Sequence, residues 1–325
     1  MKQIDHDMTL FDAASIKEVS DGTEDVLALD SLLCVKTPGE CTCFHAAVYF
    51  DHASLIPLLS RRGGDVNAGD KDGWSPLHEA AASGRRDCAK ELIINGANIN
   101  AQALVNDHDY TPLCVAILAF EYDMVKFLLE RGADPRILDG RGFRQTAAHV
   151  AARISDDGSA LRILLQKDHH LAKSPDTLRQ TPLHEAAWFA RLGPMKALID
   201  CGANVNAQDQ KGSTALHIVW FKMHEFYRMG LEPRDVIAQL AYKEFYDCRE
   251  FLIKSGADLT LPDSSGNTAA EDGFLSYILA QVHHKFALKR RRRGTALHTW
   301  QTAKTNCPKA WTVLRYALIL LHSEC

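Results

Sequence analysis

Two periodic signatures that stay in register predict an all-α repeat solenoid. The first is a block seen most fully as "SPLHEAA" from Ser75 and "TPLHEAA" from Thr181, and we call its first residue the anchor. The second is a glycine segment such as "GANINA" at Gly96–Ala101, whose glycine follows the anchor by 21 residues in four repeats. A repeat this short cannot bury its own apolar face, so successive copies must stack. The anchors lie at positions 9, 42, 75, 111, 146, 181, 214 and 268.

The repeat of Ser75 shows how its elements arise. Asp70–Gly73 has turn chemistry, because glycine accepts positive φ at no steric cost. Ser75 is a suitable N-cap, and Pro76 suits the first helical position, where its missing N–H is not needed. Gly84 ends this first helix. The apolar stripe of a second, antiparallel helix comprises Cys88, Ala89, Leu92 and Ile93.

The intervals between anchors locate the insertions. They are 33, 33, 36, 35, 35, 33 and 54 residues, and the last is 33 plus an insertion of 21. That insertion lies at about 222–243, between the two helices of one repeat. Because Pro233 suits a helix start and an apolar face follows it, we expect a separate extra helix there. Shorter insertions at 103–109 and 140–145 lengthen two hairpin loops.

The two signatures resemble the ankyrin repeat, whose T-P-L-H and G-A-D-x-N segments recur every 33 residues. The resemblance covers about residues 40–285. It implies about six full repeats, each a helix-turn-helix plus a hairpin loop, with degenerate caps. We divide the chain into a degenerate N-terminal capping repeat (1–38), a repeat domain (39–288) and a basic C-terminal tail with a terminal helix (289–325).

Composition sets limits on location and chemistry. The nine cysteines are odd in number and show no framework spacing, which indicates free thiols in a reducing compartment. The N-terminus lacks the apolar stretch of a secretory signal, and the apolar run at 317–321 is too short to cross a bilayer. We therefore expect a cytoplasmic protein, with the nucleus as a second location.

Histidine at the fourth place of the block is the residue type most suggestive of catalysis. The resemblance implies that it is structural and ties neighbouring repeats together. A metalloprotease-like pair, His78–Glu79 or His184–Glu185, would need a second His four residues after the first, but positions 82 and 188 are Ala and Trp. The block histidines are His45, His78, His149, His184 and His217.

Metal and cofactor sites have little support in the pattern. Cys41 and Cys43, with Cys34 and His45 nearby, have ligand types suited to zinc, but their spacing fits no usual finger or ribbon. No glycine-rich phosphate loop or nucleophile motif is present. We expect no enzyme activity, no cofactor and no metal.

Large aromatic residues stand at places that the repeat leaves variable. The family resemblance implies a non-enzymatic scaffold that binds a protein partner on its concave surface, where such side chains are frequent binding hot spots. We expect protein partners rather than a small-molecule substrate, a membrane or nucleic acid. As an alternative, Trp220 and Phe221 pack against the extra helix. The candidate partner-binding residues are Trp74, Tyr110, Phe143, Arg153, Trp188, Phe189, Trp220 and Phe221.

Loop asparagines and a basic run match modification and targeting signals. Loop asparagines of ankyrin proteins can be hydroxylated by a dioxygenase, and the matching positions are Asn67, Asn100 and Asn206; as an alternative, Asn only orders the hairpin. The basic run Lys289, Arg290, Arg291, Arg292 and Arg293 suits nuclear import or a solvated tail.

A second function class comes from the C-terminus. Some ankyrin adaptors end in a SOCS box that recruits a cullin-type ubiquitin ligase. Residues 310–325 have a helical pattern, but "VLRYALILL" lacks the box's Cys and no Pro-rich second part follows. Substrate recognition for a ubiquitin ligase is therefore the alternative to a plain scaffold.

Overall fold

The computed structural model of the chain divides into two compact units. Unit 1 contains the residues up to 182 together with 196–203, and unit 2 contains 183–195 and the residues from 204 onward. The structure describes residues 40–105, 108–138, 143–154, 157–228 and 236–269.

Short antiparallel helix pairs make up unit 1. The first member of each pair is the inner helix and the second is the outer helix. In chain order the elements are α1 Cys43–Tyr49, α2 Leu55–Arg61, α3 Pro76–Ala82, α4 Arg86–Ile94, β1 Ala103–Val105, β2 His108–Tyr110, α5 Pro112–Leu118, α6 Tyr122–Glu130, α7 Ala147–Arg153, α8 Ser159–Lys167 and a 3₁₀ helix His169–Lys173.

The last helix pair in the described part of the chain is longer than the earlier pairs. Helix α9 Pro182–Trp188 belongs to unit 2 from its second residue onward, and α10 Leu192–Asp200 has residues in both units. Unit 2 also contains α11 Ala215–Arg228 and α12 Val236–Lys254. In the described part of the chain, the sheet consists of β1 and β2, which pair antiparallel with Ala103 opposite Tyr110. This hairpin is the form taken by the predicted insertion at 103–109.

Two layers of helices bury the core of unit 1. The inner helices α1, α3, α5 and α7 pack on one another in order, and each packs on its own outer helix. Small side chains permit this close approach, since Ala46, Ala80, Ala116 and Ala151 are all fully buried. The all-α repeat architecture expected from the sequence is therefore confirmed.

The inner helix α3 and the outer helix α4 each end at a left-handed glycine, followed by a backbone hydrogen bond to the last turn. After α4, Gly96 has φ +93°, the Ala97 N–H donates to the Leu92 carbonyl at 2.9 Å, and the Gly96 N–H donates to the Ile93 carbonyl at 3.1 Å. This Schellman geometry requires a left-handed residue, which glycine adopts most readily. The "GA" pair that recurs in the sequence is thus the helix stop itself.

The large insertion lengthens two helices instead of forming a third, so our expectation of a separate extra helix is wrong. The inner helix α11 runs on to Arg228, and α12 is a single helix from Val236 to Lys254 that packs against α11. No Gly or Pro stands between Arg234 and Lys254. Because nothing stops the inserted helix, it continues directly into the outer helix of the repeat.

Glycine at the inner-helix cap has a testable energetic role. Gly84 has φ +66°, and a Cβ there would meet the carboxylate of Glu121. We expect Gly84→Ala to lower the free energy of unfolding by about 1–2 kcal/mol, the cost of a left-handed non-glycine residue. Urea denaturation of both proteins measures this difference.

A matched control uses the same cap in another repeat. Phe120 holds the left-handed position after α5 with φ +61° and is half-exposed. Phe120→Gly should therefore raise stability or leave it unchanged while Gly84→Ala lowers it. A loss of the same size in both variants would contradict the assignment of strain to this position.

Candidate partner-binding site

The block histidines connect each repeat to the one that follows. The Thr42 N–H donates to His45 Nδ1 at 3.0 Å, so Nδ1 is unprotonated and Nε2 carries the hydrogen. His45 Nε2 then donates to the Trp74 carbonyl at 2.8 Å, in the residue before the next anchor. The ring is buried, and this burial holds the pKa of His45 below its ordinary value of 6.5. A neutral ring in this tautomer satisfies both nitrogens.

The same bridge recurs in four more repeats, and each acceptor is again the carbonyl before the next anchor. The repeat of Thr111 has Cys114 at the corresponding place. The Nε2–oxygen distances are 3.1 Å for His78 to Tyr110, 3.1 Å for His149 to Gln180, 3.1 Å for His184 to Ser213 and 3.4 Å for His217 to Asn267.

These hydrogen bonds disfavour the catalytic and zinc-binding roles considered for the block residues. His45 uses both ring nitrogens in hydrogen bonds and has no free lone pair for a metal. Burial raises the pKa of the Cys43 thiol to about 11, which disfavours the thiolate that zinc requires. Glu79, beside His78, accepts a hydrogen bond from Trp74 Nε1 at 3.1 Å. The polar groups of the block are thus engaged in structural bonds.

Loop asparagines form a second set of ties between repeats. Asn67 donates from Nδ2 to the Gly96 carbonyl at 3.1 Å and accepts from the Asn98 N–H at 2.7 Å. Asn206 makes the same two contacts in unit 2, with Gly256 at 3.3 Å and Asp258 at 2.7 Å. Asn100 accepts from the Asp134 N–H at 2.9 Å. An enzyme that hydroxylates these side chains would first have to break the bonds; their hydroxylation stays a prediction.

Three candidate partner residues are buried, so expecting them on an exposed surface is wrong. Trp74 is 8% exposed, because its ring stacks on the His78 ring at 5.3 Å. Tyr110 is buried under Arg153, whose guanidinium lies 5.9 Å from the tyrosine ring centre and donates to its hydroxyl. Trp220 is 8% exposed, with Arg249 stacked over its ring at 5.1 Å.

The remaining candidates are accessible to different degrees. Arg153 is half-buried by its contact with Tyr110. Phe143 is exposed in unit 1, and its carbonyl accepts hydrogen bonds from Thr177. In unit 2, Trp188, Phe189 and Phe221 are 43%, 40% and 51% exposed.

The exposed aromatics of unit 2 include an ordered cation–π contact. Lys222 Nζ lies 3.8 Å from the centre of the Trp188 ring and 2.9 Å from Glu225 Oε2. Phe189 and Phe221 are the chain neighbours of Trp188 and Lys222. We call Trp188, Phe189, Phe221 and Lys222 the Trp188 surface. Sequence reasoning missed Lys222, whose role depends on the aromatic ring of another helix.

Other predicted features fall outside the described residues. These are the N-terminal cap at 1–38, the basic run at 289–293 and the terminal segment at 294–325. Within the described part, no helix combines the length and apolar character that crossing a membrane requires.

Comparison with known families agrees with this architecture. The family model "Ankyrin repeats (3 copies)" matches residues 19–103, 44–139 and 113–209. The chain belongs to the ankyrin repeat family, and its fold class is the all-α repeat solenoid.

Individual relatives share the repeats over part of their length. A putative palmitoyltransferase ZDHHC13 of Danio rerio is 31% identical over 239 residues, covering 73% of this chain and 32% of its own length. The nuclear factor NF-kappa-B p105 subunit of Gallus gallus is 30% identical over 217 residues, covering 58% and 22%. The chain therefore spans less than two thirds of either relative.

A solved structure matches at lower identity. A complex of a predatory endopeptidase from Bdellovibrio bacteriovorus with an immunity protein covers 66% of this chain and 99% of the matched chain. Its sequence identity is 24% and its TM-score is 0.47.

The histidine bridge predicts how stability depends on pH. Because the folded-state pKa of His45 is lowered, its contribution is complete above about pH 6.5 and declines as the pH falls. In His45→Gln, the amide oxygen can still accept the Thr42 N–H but does not titrate. The variant should lose about 1 kcal/mol at neutral pH, from the missing bond to Trp74.

Urea denaturation at about pH 7.5 and about pH 5.5 tests this expectation. The free energy of unfolding of the wild type should fall more between the two conditions than that of His45→Gln. An equal fall in both proteins would show that His45 is not held neutral by the fold.

Proposed function

We propose that this chain is a non-enzymatic interaction module that binds a protein partner through the Trp188 surface. The observation that carries this proposal is the exposure of Trp188, Phe189 and Phe221 beside an ordered cation. Aromatic side chains with a partly apolar body and a nearby charge are the usual energetic centres of protein interfaces.

The repeat does not require large side chains at these positions. Trp188 and Phe221 each stand seven residues after their anchors, at the same place in successive repeats. In the repeat of Ser75 that place is Ala82, and the helix there forms without a large side chain. Exposed aromatic rings that contribute little to folding are best explained by a contact outside the chain.

The Lys222 contact fixes the aromatic surface before binding. An ammonium over an indole ring contributes about 0.5–1 kcal/mol at an exposed site. The carboxylate of Glu225 lies 2.9 Å from the same ammonium and also restrains it. A side chain that is already ordered loses less conformational entropy on binding, so this arrangement supports recognition.

The comparisons support recognition rather than one activity. A protein named as a palmitoyltransferase and a protein named as a nuclear factor subunit both share these repeats, although they are named for different activities. We propose that this chain contributes binding and no catalysis. We place it in the cytoplasm, with the nucleus as a second location, and the buried free thiols of Cys43 and Cys88 are consistent with a reducing environment.

The ubiquitin-ligase adaptor stays a prediction, because its sequence segment lies outside the described residues. Co-purification with elongin and cullin subunits, lost on deleting 294–325, would support it.

Two tryptophans with opposite environments test the proposal. Trp188→Ala should remove wild-type-specific partners from affinity capture and lower the free energy of unfolding by at most about 1 kcal/mol, the contribution of the exposed cation–π contact. Trp220→Ala should lower that free energy by about 3–5 kcal/mol, since its side chain is buried. Mass spectrometry of captured proteins and urea denaturation provide the two measurements.

Ile94→Ala is the matched surface control, since Ile94 is exposed and belongs to an outer helix. It should leave both capture and stability unchanged. The proposal fails if Trp188→Ala captures the same partners as the wild type, or if it loses stability as Trp220→Ala does.

A further inference from the structure

The turn after α8 differs from the turns that close the other repeats. In place of a Gly-Ala cap it has "KDHHLAK", where Asp168 precedes the 3₁₀ helix. The Asp168 backbone is extended, and its Oδ1 accepts the His170 N–H at 3.1 Å. This cap fixes the aspartate beside both histidines that follow it.

Three potential metal ligands converge at this turn. The His169 and His170 rings lie 4.0 Å apart between centroids, with 37° between their planes. One ligand atom from each ring and one from Asp168 all lie within 4.8 Å of one another. Both histidines are exposed, so an ion can reach them from solvent. In the described part of the chain, no other three His, Cys, Asp or Glu side chains approach this closely.

We propose that Asp168, His169 and His170 bind one divalent transition-metal ion. Two imidazoles and a carboxylate suit Zn²⁺, Ni²⁺ or Cu²⁺, whereas Ca²⁺ and Mg²⁺ prefer oxygen ligands. Ligand distances of about 2.0–2.2 Å place the donor atoms of one ion about 3–3.5 Å apart. Small side-chain rotations at an exposed turn close the present distances to that range.

Arg136 is the competing cation at this site. Its Nε lies 2.6 Å from Asp168 Oδ2, and this hydrogen bond holds the pKa of the Asp168 carboxyl below its usual range. Arg136 follows the outer helix α6, so the ion pair joins the loops of two successive repeats. A metal ion on Asp168 must take the place of this guanidinium, at least in part.

Because Arg136 and the metal ion compete for Asp168, substituting Arg136 and substituting a histidine should change the metal affinity in opposite directions. Removing an imidazole takes away a ligand, whereas removing the Arg136 charge takes away both a competitor and an electrostatic repulsion. Because exposed ion pairs are weak, Arg136→Gln should tighten metal binding by about twofold to fivefold. His169→Ala and His170→Ala should each weaken it by at least about tenfold, since losing only a partner that orients a metal ligand already costs that much.

Calorimetric titration of NiCl₂ into the full chain, under reducing conditions without a chelating thiol, tests the proposal. Nickel is the probe because imidazole suits it, whereas thiolates favour softer ions, so the cysteines interfere less. We expect one site in the wild type. His52→Ala removes a histidine outside the cluster and should leave the affinity unchanged.

Three results would overturn the site. The first is a wild type that binds no Ni²⁺, and the second is a His170→Ala variant that binds as the wild type does. The third is an Arg136→Gln variant whose affinity is unchanged or weaker while its circular dichroism spectrum stays native. Tightening in Arg136→Gln together with loss in both histidine variants would establish the site.

Discussion

The hydrogen bond from each block histidine to the carbonyl before the next anchor is the contact on which the rest of the structure depends. The bonds of His45 and His78 are buried, so breaking either one leaves an unpaired carbonyl in the core, at a cost of about 1–3 kcal/mol. The same contact also fixes where the next helix begins, because the acceptor residue directly precedes the anchor that caps that helix. The apolar faces can then pack in register, since the hydrogen bond from the preceding repeat fixes the position at which each inner helix starts.

Features set by local chemistry could be predicted from the sequence, and features set by tertiary contacts could not. The anchors and the Gly-Ala stops have short-range causes, and the family and fold class built on them are confirmed. The candidate aromatic residues fall into a buried group and an exposed group. Trp74 and Tyr110 precede anchors, and there the side chain folds back over the repeat that it joins. Trp188 and Phe221 stand seven residues after their anchors, on inner helices, and their side chains are exposed. A sequence shows that both positions vary, but not which one points outward.

The two proposed sites were missed or only partly visible for a related reason. Lys222 contributes by lying over a ring from another helix, a relation that no spacing along the chain encodes. The Asp168–His170 turn has no familiar ligand spacing, and it becomes notable only because an extended aspartate aligns two adjacent rings. Both sites use positions that the repeat leaves free. The fixed positions are already occupied by bonds that hold one repeat to another.

The hydrogen bonds between repeats do not depend on the number of residues that separate their donor and acceptor. His45 reaches a carbonyl 29 residues away and His217 one 50 residues away, yet both make the same kind of bond. Asn206 likewise spans 50 residues to reach a partner equivalent to that of Asn67, 29 residues away. The residues inserted into the repeat of α11 and α12 therefore leave the stacking register unchanged. Such a repeat is a natural acceptor for grafted peptides, and a place where related proteins can diverge in length while the flanking repeats stay in step.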